Sequence, residues 1–325
     1  MKTKLLWYTK GNLGDFILAC YSLMKIDLAL VDVTICTNKN NIKIIRDLQL
    51  PFKIIEENNT IISSIKSFAL LKALNIFVRK ICSCWNSYDV SIDTYRWRSG
   101  FLIEQSISFF DSIKLNRFNS KKIINFSRAE LAIHEQFLML AKIPYAKKSF
   151  FLHHIKNVTK GNELVKRFDV IIHPFSSEKT RVLNYEFVLE IVKMHPNEEI
   201  LLLGVPSDDG SLLLKLKNLK LENLTVEIKY FNFFELAQLI IAAKIIYGSE
   251  SFVSNFASLL GAKVYGFFSG VADPNQWYLP GFNSTTFKLN VPCSPCFNKI
   301  ACSNECLNFF AFSETQSTDL NEMDK

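Results

Sequence analysis

Short apolar runs alternate along the chain with longer stretches whose apolar residues recur at helical spacing. Residues 4–9 read as a first strand, residues 10–15 as a loop with two glycines, and residues 16–28 as a helix. Residues 31–37 predict a second strand, 42–48 a short helix, 52–55 a third strand and 61–82 a long amphipathic helix. A strand over 88–93 ends polar and runs into the basic, aromatic segment Tyr95-Arg96-Trp97-Arg98, with helices expected over 100–110 and 128–143. Pro144 breaks the last of these, and residues 150–153 read as a strand before a polar linker over 156–163.

The alternation then restarts. Strands are expected over 169–173, 199–203, 225–228, 245–247 and 264–268, and helices over 185–194, 208–216, 233–243 and 252–260. Gly261 is placed to end the last helix. Two successive β/α domains follow, an α/β class with doubly wound parallel sheets: residues 1–155, residues 156–312, and a polar tail over 313–325.

Composition narrows the picture. The chain has 325 residues, 49% hydrophobic and 21% charged, enough for a sizeable core in each domain. Charges interrupt every apolar stretch before the ~18 residues a bilayer span needs, and no secretory signal is recognisable, so a cytoplasmic protein is expected. The net charge of +7 is unevenly spread: residues 1–155 carry 22 Lys and Arg against 12 Asp and Glu. That field suits an acidic partner such as an acidic glycan or an anionic lipid surface. The basic residues form no stripe, which argues against nucleic acid. Ordinary surface lysines are the plainer alternative.

The strand ends carry the candidate chemistry. The first strand is followed by Gly11-Asn12-Leu13-Gly14-Asp15, where glycines admit a close approach and Asp15 stands at a helix start. Asp15 could equally cap that helix. Arg96 and Arg98 follow another strand, where open α/β sheets bind ligands. Residues 173–181 form a loop of hydroxyls and cations that includes Ser176, Ser177, Lys179 and Arg181. Gly248-Ser249-Glu250-Ser251 is a small-residue turn before a helix, an arrangement that aims free N–H groups at an anion. Cys293, Cys296, Cys302 and Cys306 have the spacing of a structural zinc site, with a packed loop of reduced thiols as the alternative; Cys20, Cys36, Cys82 and Cys84 read as buried thiols.

Taken in order, these blocks resemble the lipopolysaccharide heptosyltransferases, glycosyltransferase family 9, over about residues 4–306. Gly11 to Asp15 resembles the family's S-x-L-G-D opening, and residues 88–98 its Y-D-L-x-I-D block with a following arginine segment. His173-Pro174-Phe175-Ser176-Ser177 resembles H-P-G-x-S, and Leu203-Gly204 matches a strand ending in Gly. Residues 248–261 resemble G-x-D-[ST]-G-x-x-H-x-A-x-x-x-G, residues 267–274 resemble L-F-G-x-T-x-P, and the closing cysteines resemble a C-x-x-C.

The resemblance implies a GT-B fold, with the two Rossmann-like domains facing each other across a cleft. It implies an inverting transfer of heptose from ADP-heptose to a lipopolysaccharide core without a catalytic metal. Asp15 would be the general base. Asn12, Arg96 and Arg98 would meet the acceptor. Ser176, Ser177, Lys179, Arg181, Glu250, Ser251 and Asn255 would meet the nucleotide-sugar donor, with Arg181 the preferred phosphate cation. Peripheral docking on the cytoplasmic face of the inner membrane would fit the positive first half. The chain departs from the pattern at Glu250 (Asp in the family), Phe252 (Gly), Asn255 (His) and Val182-Leu183 (Trp-Pro). Another nucleotide sugar on the same fold, or a non-catalytic binding relative, are the alternatives these departures motivate.

Overall fold

A computed structural model of the protein describes residues 2–9, 12–56, 90–93, 138, 142–146, 149–160, 167–208, 210–270, 279, 281–289, 291–293 and 305–307. The chain divides into two compact units, Met1–Phe150 and Phe151–Lys325.

In the first unit, strands β1 (Thr3–Tyr8), β2 (Val31–Thr37), β3 (Lys53–Glu56) and β4 (Val90–Asp93) form a parallel sheet in the order β3-β2-β1-β4. Helices α1 (Leu13–Leu23) and α2 (Lys39–Asp47) connect the first three strands. Leu5, Trp7, Val33 and Ile35 from the strands are buried with Phe16, Ile17, Cys20 and Leu23 of α1. Burial pushes the Cys20 thiol well above its ordinary pKa, so it is an inert core side chain, as its apolar setting suggested. Helix α1 stops five residues short of its expected end. Met24 and Lys25 close it by donating to the carbonyls of Cys20 and Ser22, and Ile26 bridges to Tyr145. Asn38 caps α2 by accepting from the Asn41 amide at 3.0 Å, which starts that helix earlier than its apolar spacing indicated.

The second unit holds strands β5 (Val170–His173), β6 (Ile200–Gly204), β7 (Leu224–Ile228), β8 (Ile245–Ser249), β9 (Val264–Phe268) and β10 (Ser284–Lys288). They form one parallel sheet in the order β10-β9-β8-β5-β6-β7. Helices α3 (Phe151–Thr159), α4 (Tyr185–Met194), α5 (Gly210–Asn218), α6 (Phe233–Ala242) and α7 (Phe252–Leu259) accompany it. Val170, Ile172, Ile200, Leu202 and Tyr247 pack with α4 and α5 residues such as Val188, Ile191 and Leu213. Residues buried from the outset in continuous apolar strands, such as Leu201 and Ile246, are what a sheet covered on both faces requires.

Three elements differ from the sequence reading. Residues 150–153 are not a strand: Phe151 and Ile155, one helical turn apart, are both buried in α3. Strand β8 runs through Gly248 and Ser249, which were expected to turn, because both continue the ladder, Gly248 opposite His173 and Ser249 opposite Phe267. Strand β10 has no apolar alternation to reveal it, since it is a threonine-bearing edge strand. The helices expected over 61–82, 100–110 and most of 128–143 lie outside the described residues. Among the described residues no helix is long and apolar enough to cross a membrane.

An aromatic chain ties α3, α6 and α7 together. Phe256 is fully buried, stacks on Phe252 at 5.4 Å and meets Phe151 edge-on at 6.4 Å, while Phe252 meets Phe233 edge-on at 5.3 Å. Truncating Phe256→Ala removes the shared member and should lower the unfolding free energy by about 3–5 kcal/mol. Urea denaturation checks this; a loss under about 1 kcal/mol would mean that the three helices do not depend on that ring.

Candidate functional site

In both sheets the strand order reverses direction beside the first strand of the unit, between β1 and β4 and between β5 and β8. Connections leave such a switch point on opposite sides and open a crevice at the carboxyl ends of the strands. Candidate residues from the sequence collect at these two places.

At the first, β1 leads through Thr9 into α1. Asn12, exposed, occupies the N-cap position of α1 with extended backbone and makes no side-chain cap bond. Asp15 is the third residue of the helix, half-buried, in the first turn, so it is not the N-cap that its position beside the loop allowed. An acidic side chain suits the partial positive charge of a helix start. β4 ends at Asp93, paired with Tyr8, so the chain leading to Arg96 and Arg98 departs from the neighbouring strand of the same switch point. Arg96, Arg98 and Gly11 themselves lie outside the described residues.

At the second, two serines lace the ends of β5 and β8. Ser249 Oγ donates to the Phe175 carbonyl at 2.6 Å, and Ser176 Oγ donates to the Glu250 carbonyl at 3.1 Å. Ser254, one turn into α7, donates its hydroxyl back to the Ser249 carbonyl at 2.7 Å. That hydroxyl occupies the space over Gly248, where an added Cβ would come within 2.3 Å of it. Gly248 is therefore required by close approach.

The start of α7 is left without its usual side-chain cap. Ser251 is the N-cap residue but makes no cap bond; its Oγ lies 3.2 Å from Nδ1 of His173. Desolvation pushes the pKa of His173 down to about 4, so at neutral pH the imidazole is uncharged. Among the described residues no side-chain cap takes up the first N–H groups of α7, at a helix end that favours anions. Beside them, Arg181 Nη1 is 3.0 Å from Glu250 Oε1, with side chains only 22% and 10% exposed. Arg181 belongs to a 3-10 turn (Lys179–Arg181) that carries Lys179 outward, exposed, and turns Arg181 inward. Ser177 is exposed, and Asn255 is half-buried one turn into α7.

Phe252, where the family pattern has glycine, adds a ring to the first residue of α7 that could lie over the helix start. Its ring instead packs on Phe256 and Phe233, toward α6. His173 and Gly248 were not singled out as site residues. The signal for both was present: a histidine at a strand end, and a glycine followed six residues later by a serine on the next helix. Of the cysteine set, Cys293 is exposed and Cys306 is buried in the short 3-10 turn Glu305–Leu307; Cys296 and Cys302 lie outside the described residues. Among the described residues no three His, Cys, Asp or Glu side chains gather as a metal site.

No protein-family model matches the chain, and no curated protein sequence matches it. Solved structures do. E. coli heptosyltransferase WaaC with ADP-2-deoxy-2-fluoro heptose is similar at 14% identity, with a TM-score of 0.66, over 99% of this chain and 100% of that one. E. coli ADP-heptose lps heptosyltransferase II is similar at 12% identity and TM-score 0.58, over 96% and 100%. A glycosyl transferase family 9 protein of Veillonella parvula is similar at 8% identity and TM-score 0.63, over 97% and 89%. The fold is that of the GT-B glycosyltransferases, α/β with Rossmann-like parallel sheets.

The neutral His173 has a consequence for stability. Its folded pKa lies below the ordinary value of 6.5, so as pH falls from about 6.5 to about 4 the unfolded chain takes up a proton that the folded site refuses. Its contribution to stability is intact above that window and falls through it by up to about 1.4 kcal/mol per pH unit. His173→Gln should flatten the pH dependence of the unfolding free energy between 6.5 and 4 relative to the parent. Matching slopes from chemical denaturation would show that the imidazole titrates normally.

Proposed function

We propose that this protein is an inverting glycosyltransferase that moves a sugar from a nucleoside-diphosphate donor to an acidic glycan or glycolipid. The observation that carries the reading is the start of α7: its cap hydroxyl is engaged by His173, leaving helix N–H groups beside the inward-turned Arg181. ADP-heptose is the first donor to test, since WaaC, of the same fold, was solved with ADP and with an ADP-heptose analogue.

In this mechanism the Asp15 carboxylate takes the proton of an acceptor hydroxyl as that oxygen attacks the anomeric carbon. The new carbon–oxygen bond forms on the face opposite the diphosphate, whose bond to the same carbon breaks and whose oxygen leaves with the electron pair. One displacement inverts the centre. Arg181, Ser176, Ser251 and the first amides of α7 oppose the charge that grows on the departing phosphate. Lys179 and Ser177, exposed at the rim, and Asn255 complete the donor contacts; Asn12, Arg96 and Arg98 serve the acceptor. The chemistry uses no catalytic metal, and any zinc held by Cys293, Cys296, Cys302 and Cys306 is a structural clip. The positive first half docks the protein electrostatically on the anionic cytoplasmic leaflet.

A second reading, the same reaction with a different nucleotide sugar, is favoured by Glu250, Phe252 and Asn255, each a different side chain from the one the family pattern has. Calorimetry with a panel of nucleotide sugars separates the two: tight binding of another donor with none for ADP-heptose selects the second.

Replacing the base, Asp15→Asn, should lower kcat for transfer by about 10²–10⁴-fold while donor Kd changes less than about threefold. A variant with parental turnover removes Asp15 from the role. Elemental analysis of the purified protein decides the cysteine set: about one zinc per chain, lost in Cys306→Ser, means a structural clip, and a metal-free parent means packed thiols.

A further inference from the structure

Glu250 sits in the proposed donor site with the wrong charge for an anion, and its contacts suggest what it does there. Its backbone is fixed by the hydroxyl of Ser176 on its carbonyl, and its carboxylate is fixed on Arg181 at 3.0 Å. The turn that carries Arg181 is closed by its own backbone, Arg181 donating to the Glu178 carbonyl at 3.0 Å. Arg181 Nε is buried and, among the described residues, makes no hydrogen bond. The guanidinium is thus held at one end by a carboxylate while a donor at its other end is unused. A planar fork of this kind can serve two acceptors at once.

We infer that Glu250 is a positioning residue that latches Arg181 and, by competing for its charge, limits how tightly the site holds a nucleoside diphosphate. This rests on the reading of the second unit as the donor site. A diphosphate entering here must share Arg181 with Glu250. In a bound sugar nucleotide the diphosphate carries one negative charge fewer than in the free nucleoside diphosphate left after transfer. The carboxylate therefore weakens the product complex more than the donor complex, which favours release. Without it, the cation is wholly available and the product lingers.

The test is calorimetry of ADP, UDP, GDP and CDP with the full-length protein and four variants: Glu250→Gln, Glu250→Asp, Arg181→Gln and the double substitution Arg181→Gln with Glu250→Gln. For the nucleotide that binds the parent best, Glu250→Gln should tighten binding by about 5–50-fold. Glu250→Asp, which keeps the charge but withdraws it by one methylene, should fall between parent and Gln. It carries the test if Gln does not fold. Arg181→Gln should weaken binding, and in its background Glu250→Gln should give no gain. In turnover, Glu250→Gln should lower the donor KM and lower kcat together, with stronger product inhibition.

Binding that is unchanged or weaker in both Glu250 variants overturns the latch. So does a gain that survives in the Arg181→Gln background, because Glu250 would then repel the nucleotide directly. If no nucleotide binds parent or variants, the donor-site reading itself falls and the latch with it. Nucleotide binding to the parent with a failed Glu250 pattern removes the latch alone.

Discussion

The seam between β5 and β8 is the constraint on which the rest of the second unit's site depends. Parallel neighbours pair along their length, but beyond His173 and Ser249 the chains must part, one toward α4 and the other into α7. Two hydroxyl-to-carbonyl bonds, from Ser249 to Phe175 and from Ser176 to Glu250, hold the departing segments in register past the last ladder pair. Each satisfies a backbone oxygen that the ladder has abandoned, and an unsatisfied buried carbonyl would cost on the order of 1–3 kcal/mol. Because the stitches run in opposite directions, neither segment can slide without breaking one of them. The positions of Arg181, Glu250 and the α7 start all follow from that.

Gly248 and Ser254 serve the same seam from behind. The serine hydroxyl reaches the Ser249 carbonyl only because nothing projects from Gly248. Helix α7 thereby begins close against the strand it follows, and its positive end lies just past the carboxyl end of β8. At the other end Gly261, with φ of +75°, reverses the chain into β9 in a conformation that suits glycine. The unit is therefore anchored at both ends of one eight-residue helix, and the aromatic contacts of Phe252 and Phe256 seat its flank.

Much of this was legible in the residues, and the divide follows their physics. Strands such as Ile200–Gly204 are continuous apolar runs, and Tyr185–Met194 has caps and periodicity that leave no other reading. The threonine-bearing edge strand β10 has no such signal, and α3 hid because Phe151 and Leu152 look alike in a run while only one is buried. At the site, residue type pointed to Arg181 and Glu250 as charged groups near a helix start. Their pairing with each other is a tertiary fact that spacing across sixty-nine positions does not carry. Ser251 was legible as a hydroxyl in a small-residue turn before a helix, but its engagement by His173 on the neighbouring strand, in place of the local cap bond, is likewise tertiary.

Phe252 illustrates how a fold tolerates a change that a motif does not. Where the family pattern has glycine, a phenyl ring on the first residue of α7 could be expected to close the anion site. The first turn of a helix, however, sends side chains outward at intervals of about 100°, so the ring's direction is set by the helix phase and not by the amides' direction. Here that phase points it at Phe233, the first residue of α6, and at Phe256 one turn along. The ring is held by a stacked and an edge-on partner, each worth about 0.5–1.5 kcal/mol beyond burial. The cost of the added side chain is met on the flank, and the amides at the helix start keep their own direction. Glu250 is the harder departure, because its carboxylate lies on Arg181, the cation to which the proposed function assigns the donor phosphate. The size of a departure from the pattern is therefore a poor guide to its consequence: the larger side chain is accommodated by packing on a flank, while Glu250, which keeps the acidic character of the pattern, is paired with an inward-turned cation.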